Sequence, residues 1–217
     1  MKLSVAIDGP AGAGKSTIAK LVGKKFNLMY INTGAMYRAV TLMAIRENIN
    51  YSETQKLCQL IENLEMHFDK DKLIVNEEDV SEEIVMPNIS KNVSNYSAVP
   101  EVRELLVCLQ KQISEKYNVI MDGRDIGTVV LKNADFKFFL TASPEERAKR
   151  RYNELIAKNV EVDYNNILND IIKRDYIDSH RETSPLKKAE DAVEIDSSFM
   201  NIEEVVLYIS NYITKNM

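Results

Sequence analysis

Cysteine, histidine, proline and glycine are all scarce in this chain of 217 residues, which contains two, two, five and seven of them. Each scarcity removes a class of protein. Cys58 and Cys108 are far apart and sit in helix-like apolar patterns. They read as buried small hydrophobes in a reducing compartment, not as a disulfide framework. So few Gly and Pro rule out a low-complexity linker architecture. No apolar run approaches the ~20 residues that cross a membrane. The short apolar run after Lys2 is ended by Asp8, too soon for a signal-peptide core. The expected compartment is the cytoplasm. A net charge of −5 lacks the basic excess of a general nucleic-acid binder. The remaining balance, 45% hydrophobic and 28% charged, suits one sizeable core with small appendages, so 1–217 is expected to form a single domain.

The core pattern alternates. Leu3-Ser-Val-Ala-Ile7 is a short apolar run closed by Gly9-Pro10, and so a buried strand. Four more runs look like strands: Leu28-Met-Tyr-Ile31, Asn118-Val-Ile-Met121, Phe136-Lys-Phe-Phe-Leu140 and Ala192-Val-Glu-Ile195. Segments of helical periodicity separate them, so the expected fold is α/β, a five-stranded parallel sheet with helices on both faces. Ser143-Pro144-Glu145-Glu146 reads as a full capping box, and Asn201 with Glu204 starts the last helix. That helix carries Ile202, Val205, Val206, Ile209 and Ile213 as one core-facing stripe. Residues 64–68 and 72–76 read as two short strands around the polar turn Asp69-Lys70-Asp71. They suggest a small antiparallel insertion, with 55–98 as its approximate extent.

The first strand leads into Gly9-Pro10-Ala11-Gly12-Ala13-Gly14-Lys15-Ser16-Thr17, which fits GxxxxGK(S/T), and a helical pattern follows. A triphosphate needs backbone N–H groups close by and pointing inward; glycines permit that approach, and the helix directs its positive end at the anion. Lys15 then bridges the outer phosphates and Ser16 offers a hydroxyl to Mg²⁺. The loop marks a nucleotide binder. It does not separate a switch, a motor and a small-molecule kinase.

The arginines decide between these. Arg38 follows the second strand, Arg103 starts a helix, and Arg124 ends the third strand, where open α/β sheets bind ligands. Arg147, Arg150 and Arg151 line the next helix, and Arg174 and Arg181 flank Asp178 at spacings that share one helical face. A surface ion-pair ladder also fits that last spacing, at a few tenths of a kcal/mol per pair. With a phosphate loop elsewhere in the chain, a second anion site is the stronger reading. Transfer between two nucleotides brings about six negative charges into one cleft, and planar guanidinium forks offset their repulsion. A phosphate acceptor is already anionic, so no general base is required. Of the two histidines, His67 lies in the insertion, and His180 lies among the arginines without a required role.

These residues resemble the bacterial cytidylate kinases. The resemblance rests on Asp8-Gly-Pro-Ala-Gly-Ala-Gly-Lys-Ser16, Asn32-Thr-Gly-Ala-Met-Tyr-Arg38, Asp122-Gly-Arg-Asp-Ile-Gly127 and the segment from Arg174 to Arg181, and it runs over essentially the whole chain. It implies transfer from ATP, with Mg²⁺, to CMP or dCMP in pyrimidine nucleotide metabolism. It also implies contacts of Thr33, Tyr37 and Arg38 with the acceptor monophosphate. Ser94, Arg103, Arg124 and Asp125 resemble the residues that read cytosine. Asp178 resembles the sugar contact, Arg174 and Arg181 the phosphate contacts, and Arg147 and Arg151 the arginines near the donor adenine and phosphates. A short lid would span about 150–162.

Within the same class a UMP- or AMP-directed kinase stays open. From other classes come a GTP-hydrolysing switch, disfavoured because no NKxD-type stretch is present, and a nucleic-acid-dependent ATPase, disfavoured by the acidic balance. The expected partners are small nucleotides only, with no nucleic acid and no membrane. A monomer is expected because no large apolar stripe is left unassigned.

Overall fold

The computed structural model describes residues 2–69 and 72–217; Lys70 and Asp71 of the expected polar turn lie outside the described residues. Five parallel strands form the main sheet: β1 (Ser4–Asp8), β2 (Met29–Asn32), β6 (Val119–Gly123), β7 (Phe136–Thr141) and β8 (Val193–Asp196), in the order β2-β6-β1-β7-β8. All five expected strands are present, each within a residue or two of its expected limits. β1 is central, pairing from Ser4–Val119 to Asp8–Gly123 on one side and from Val5–Phe136 to Asp8–Phe139 on the other.

Strand periodicity divides the core. Ala6, Ile31, Val119 and Met121 turn to one face, where α2 (Thr33–Arg46), α3 (Thr54–Glu62) and α5 (Pro100–Lys116) cover them through Val40, Leu57, Val102 and Leu106. Val5, Ile7, Ile120, Phe138 and Leu140 turn to the other, under α1 (Lys15–Phe26) and α8 (Ile202–Asn216) through Ile18, Val22, Ile209 and Ile213. Burying side chains of this size contributes roughly 1.5–3 kcal/mol each, which makes the sheet a rigid floor for whatever its strand ends carry.

The insertion is larger than two strands. β3 (Met66–Asp69) and β4 (Lys72–Val75) pair antiparallel as expected, and β5 (Glu78–Asp79) adds a third. A 3₁₀ turn (Glu83–Val85) and α4 (Pro87–Ser97) follow. Leu73, Val75, Val80, Ile84 and Ile89 pack on Ala35, Ala39 and Leu42 of α2. Arg46, at the end of α2, grips Glu78 through both Nη atoms at 2.7 and 2.8 Å and also reaches Glu83.

Three sequence expectations need correction. Cys108 is exposed and Cys58 half-buried, both as free thiols, because the buried line of α5 runs through Val102, Leu106 and Gln110. Ile202 is 51% exposed and does not continue the stripe formed by Val205, Ile209 and Ile213. Ser143 caps α6 (Pro144–Ala157) by accepting from Glu146 N at 3.2 Å, but the Glu146 carboxylate lies 3.4 Å from Arg150 Nε, leaving half of the expected box. The full box forms at Asn201 and Glu204. α7 (Tyr164–His180) packs along α6.

Candidate active site

Five strand ends and the helices that follow them meet over the carboxyl edge of the sheet. Gly9 leaves β1 with φ +146°, and a Cβ there would lie 1.9 Å from the Leu140 carbonyl oxygen, so no side chain fits. Gly14, at φ +90°, caps α1 without a side-chain hydrogen bond, so the first N–H groups of that helix keep their capacity for an anion. Lys15 is buried, and its Nζ donates to the Pro10 carbonyl at 2.7 Å. Burial, with Arg124 and Arg174 nearby, pushes its pKa well below the usual lysine range.

Ser16 Oγ donates to Asp122 Oδ2 at 2.8 Å, and the Tyr30 hydroxyl donates to Asp122 Oδ1 at 2.9 Å. Burial and the Asp122 charge drive the Tyr30 phenol far above its usual range, so it remains a donor. Asp8 is also buried and accepts from Ile126 N and Gly127 N, both at 2.7 Å; burial raises its carboxyl to about 6.

Across the cleft, Asn32 caps α2 by accepting from Ala35 N at 2.8 Å, which brings Thr33, Tyr37 and Arg38 to the strand edge. Thr33 Oγ1 donates to the Asp122 carbonyl at 2.8 Å. Asp178 is a hub. It accepts from Ser94 Oγ at 3.1 Å and Arg124 Nε at 2.9 Å, with Arg174 Nε 3.8 Å away. Burial works against its ionisation, but Arg124, Arg174 and Arg181 outweigh that and hold the carboxyl below its usual range. Asp125 is a second hub, bonded by Arg103 Nη2 and 3.8 Å from Arg181 Nη2. The Arg103 guanidinium also lies 5.1 Å over the Tyr37 ring.

Several buried donors in this half have no hydrogen-bond partner: Arg38 Nε, Arg103 Nε, Arg174 Nε, Arg181 Nη2 and the Tyr37 hydroxyl. Burial pushes Arg38 and Arg174 each down to about 10. Buried cationic donors left unpaired are costly unless an anion completes them.

One cleft of about 1260 Å³ joins the two halves. Loop residues 11–17 line it on one side. The arginines 38, 103, 124, 151, 174 and 181, with Thr33, Tyr37, Ser94, Asp125 and Asp178, line the rest. Gly9, Pro10 and Arg147 do not; the first two shape the loop from behind, and Arg147 is buried beneath it. Arg181 follows the last residue of α7 in extended backbone, so it reaches Asp125 and not the Asp178 that helical spacing suggested. His180 is exposed and stacks on Tyr176 at 4.1 Å, outside the cleft lining, and His67 is exposed on β3.

The family profile described as "Cytidylate kinase" matches residues 5–215. The chain belongs to the cytidylate kinase family. It is 71% identical over 217 residues to a cytidylate kinase of Clostridium acetobutylicum, covering 100% of both chains. To a cytidylate kinase of Clostridium perfringens strain SM101 it is 64% identical over 213 residues, 98% of each. Among solved structures, a shikimate kinase from Bacteroides thetaiotaomicron aligns over 99% of both chains with a TM-score of 0.52 at 14% identity, a likeness of fold alone.

The sequence reading gave no role to Asp8, Asp122 or Asp175, and it named Arg150 among the arginines without its partner. Asp122 and Asp8 sit inside the quoted motifs, but their partners are distant: Ser16 and Tyr30 for one, the Ile126–Gly127 backbone for the other. Arg150 crosses to Ser197, donating to its carbonyl at 2.6 Å. Asp175 meets Arg147 at 2.6 Å. A carboxylate at a strand's carboxyl end was an available signal for Asp122. For Arg150 and Asp175 no signal in one dimension exists.

Among the described residues, no group of three or more His, Cys, Asp or Glu is arranged to hold a metal. The Ser16 hydroxyl and Asp122 carboxylate, 2.8 Å apart, are hard oxygen donors. That pair fits Mg²⁺, which takes one or two protein oxygens and completes its shell with phosphates and water.

Proposed function

We propose that this chain transfers the γ-phosphoryl group of ATP to CMP or dCMP, giving ADP and CDP or dCDP. The observation that carries the reading is the pairing of two anion sites in one cleft. A phosphate loop with an open helix end faces a set of arginines with buried donor atoms that have no hydrogen-bond partner in the protein. A hydrolytic switch has no use for the second set.

In this reading the loop amides from Gly12 to Thr17 hold the triphosphate, and Lys15 exchanges its Pro10 contact for the outer phosphates. Those phosphates oppose the pKa depression that burial imposes, so the lysine stays charged when the substrate is bound. Ser16 and Asp122 would hold Mg²⁺, which supplies charge neutralisation on the triphosphate. Arg38, with Thr33 and Tyr37 beside it, receives the acceptor phosphate, and Arg174 and Arg181 approach from the opposite wall. Arg151 joins the donor phosphates once released from the Val85 carbonyl that it now contacts.

An acceptor oxygen forms the new bond to the γ-phosphorus as the bond to the β,γ-bridging oxygen breaks, and ADP departs with that electron pair. Proton removal is not needed. Positioning and fixed positive charge supply most of the rate. Asp125, held by Arg103, is suited to accept from the cytosine amino group, with Ser94 and Arg124 serving the ring; uracil lacks that donor. Asp178 takes the sugar. The insertion at about 55–98 and a lid at about 150–162 act as parts of one domain over 1–217, the lid closing to exclude water.

The experiment is ADP production from Mg·ATP with CMP, dCMP, UMP, AMP, GMP and dTMP added one at a time, beside a no-acceptor control. Rapid turnover confined to CMP and dCMP is expected. Turnover led by another monophosphate removes the base-reading roles, and hydrolysis indifferent to acceptor removes the kinase reading.

A further inference from the structure

Arg147 stands out because each of its three side-chain nitrogens is hydrogen-bonded within the protein and the residue does not line the cleft. The side chain is 3% exposed, and the residue does not line the cleft that its neighbours Glu146, Arg150 and Arg151 do line. Its three nitrogens go to three different elements. Nε donates to the Ala142 carbonyl at the end of β7 (2.8 Å), Nη1 to the Ala11 carbonyl in the phosphate loop (3.0 Å), and Nη2 to Asp175 Oδ2 on α7 (2.6 Å). The loop is seated directly on this residue: a Cβ at Gly12 would lie 3.1 Å from Arg147 Cβ. Asp175 follows Arg174 and precedes Asp178 by one helical turn. The same short stretch of α7 therefore presents groups to the acceptor half of the cleft and is tied to the donor loop.

Resting on the proposed transfer reaction, we infer that Arg147 and Asp175 are positioning residues. Their pair sets the spacing between the phosphate loop and the helix that carries Arg174 and Asp178. A guanidinium is planar, with Nη1 and Nη2 fixed relative to each other, so a shift of α7 is passed to the loop carbonyl without slack. In-line transfer is steeply sensitive to such shifts; about 1 Å can change a rate by roughly a hundredfold. This role differs from the donor contact that family resemblance implies for Arg147. In this structure Arg147 is buried, does not line the cleft and is held by Ala142, Ala11 and Asp175.

The test measures single-turnover transfer from Mg·ATP to CMP by rapid quench, alongside calorimetric Kd values for each nucleotide alone. The proteins are wild type, Asp175→Asn, Asp175→Glu, Arg147→Lys and the Arg147→Lys/Asp175→Asn double variant. Asp175→Asn and Arg147→Lys should each slow transfer about tenfold, with both Kd values within about threefold of wild type. The double variant should be no slower than the slower single variant by more than about twofold, since both remove one contact. Asp175→Glu should fall between wild type and Asp175→Asn.

Transfer by Asp175→Asn within about twofold of wild type overturns the inference. So do losses that multiply in the double variant, or a loss in Arg147→Lys that falls on ATP affinity alone. If thermal unfolding shows Asp175→Asn to be unfolded, Asp175→Glu decides: slowed transfer with normal affinities supports the latch, and wild-type transfer overturns it. A wild-type protein that does not phosphorylate CMP at all would instead overturn the proposed function.

Discussion

Asp8 and Asp122 end neighbouring strands, are equally buried, and have different tasks. Asp122 is bonded by the hydroxyls of Ser16 and Tyr30, whereas Asp8 is spent on the backbone, gathering the N–H groups of Ile126 and Gly127. Burial raises the Asp8 carboxyl from 3.8 to about 6, so between those values the folded chain holds a proton that the unfolded chain releases. Stability from this group is therefore complete below pH 3.8 and is lost as pH rises through about 6. The loss is about 3 kcal/mol, at roughly 1.4 kcal/mol per tenfold change in proton affinity. The excess stability of wild type over Asp8→Asn should shrink by that order from pH 4 to pH 7 in urea titrations. A difference that does not vary with pH would mean that the Asp8 carboxyl titrates normally. Nothing in the motif around Asp8 announces this behaviour, because it depends on burial in the assembled fold, which outweighs the Ile126 and Gly127 N–H bonds that act to lower the carboxyl.

At the scale of the element, starts and stops were legible wherever the signal is local. Asn201 and Glu204 form the box that their spacing predicts, and Asn201→Ala should cost about 1 kcal/mol of stability, read by thermal unfolding. A loss under a few tenths would show that the packing of Val205, Ile209 and Ile213 holds α8 without its cap. β5 was not legible: Glu78 and Asp79 are polar, exposed and only two, so no period-2 apolar pattern marks them. The same limit explains the arginines. Their number and placement pointed to anion binding, but which carboxylate each one meets depends on pairs such as Ser94 with Asp178 and Arg103 with Asp125. Those pairs are made by sheet order and helix packing, which lie outside any local spacing. The helical face shared by Arg174 and Asp178 does not extend to Arg181, which lies past the end of α7 in extended backbone and still lines the cleft.

Over the whole molecule, a chain of net charge −5 concentrates positive charge in one cleft. Low-dielectric walls focus that field on incoming nucleotides. They also make the nucleotide-free protein carry buried, crowded cations at a stability cost, and burial lowers the pKa values of Arg38, Arg174 and Arg181. Arg174→Met, which keeps the aliphatic stem, should therefore stabilise the nucleotide-free protein by about 1–3 kcal/mol while slowing transfer at least a hundredfold. Calorimetric unfolding and the ADP assay measure the two effects. A destabilised variant would mean that the Asp178 contact outweighs the crowding of like charges.

The central place of β1 in the sheet has a consequence in time. Both of its neighbours, β6 and β7, come from the second half of the chain. On a ribosome adding ~5–20 residues per second, β1 waits on the order of ten seconds for its first partner. The nucleotide loop hangs from that waiting strand. The part of the protein synthesised first is thus among the last to take its working shape.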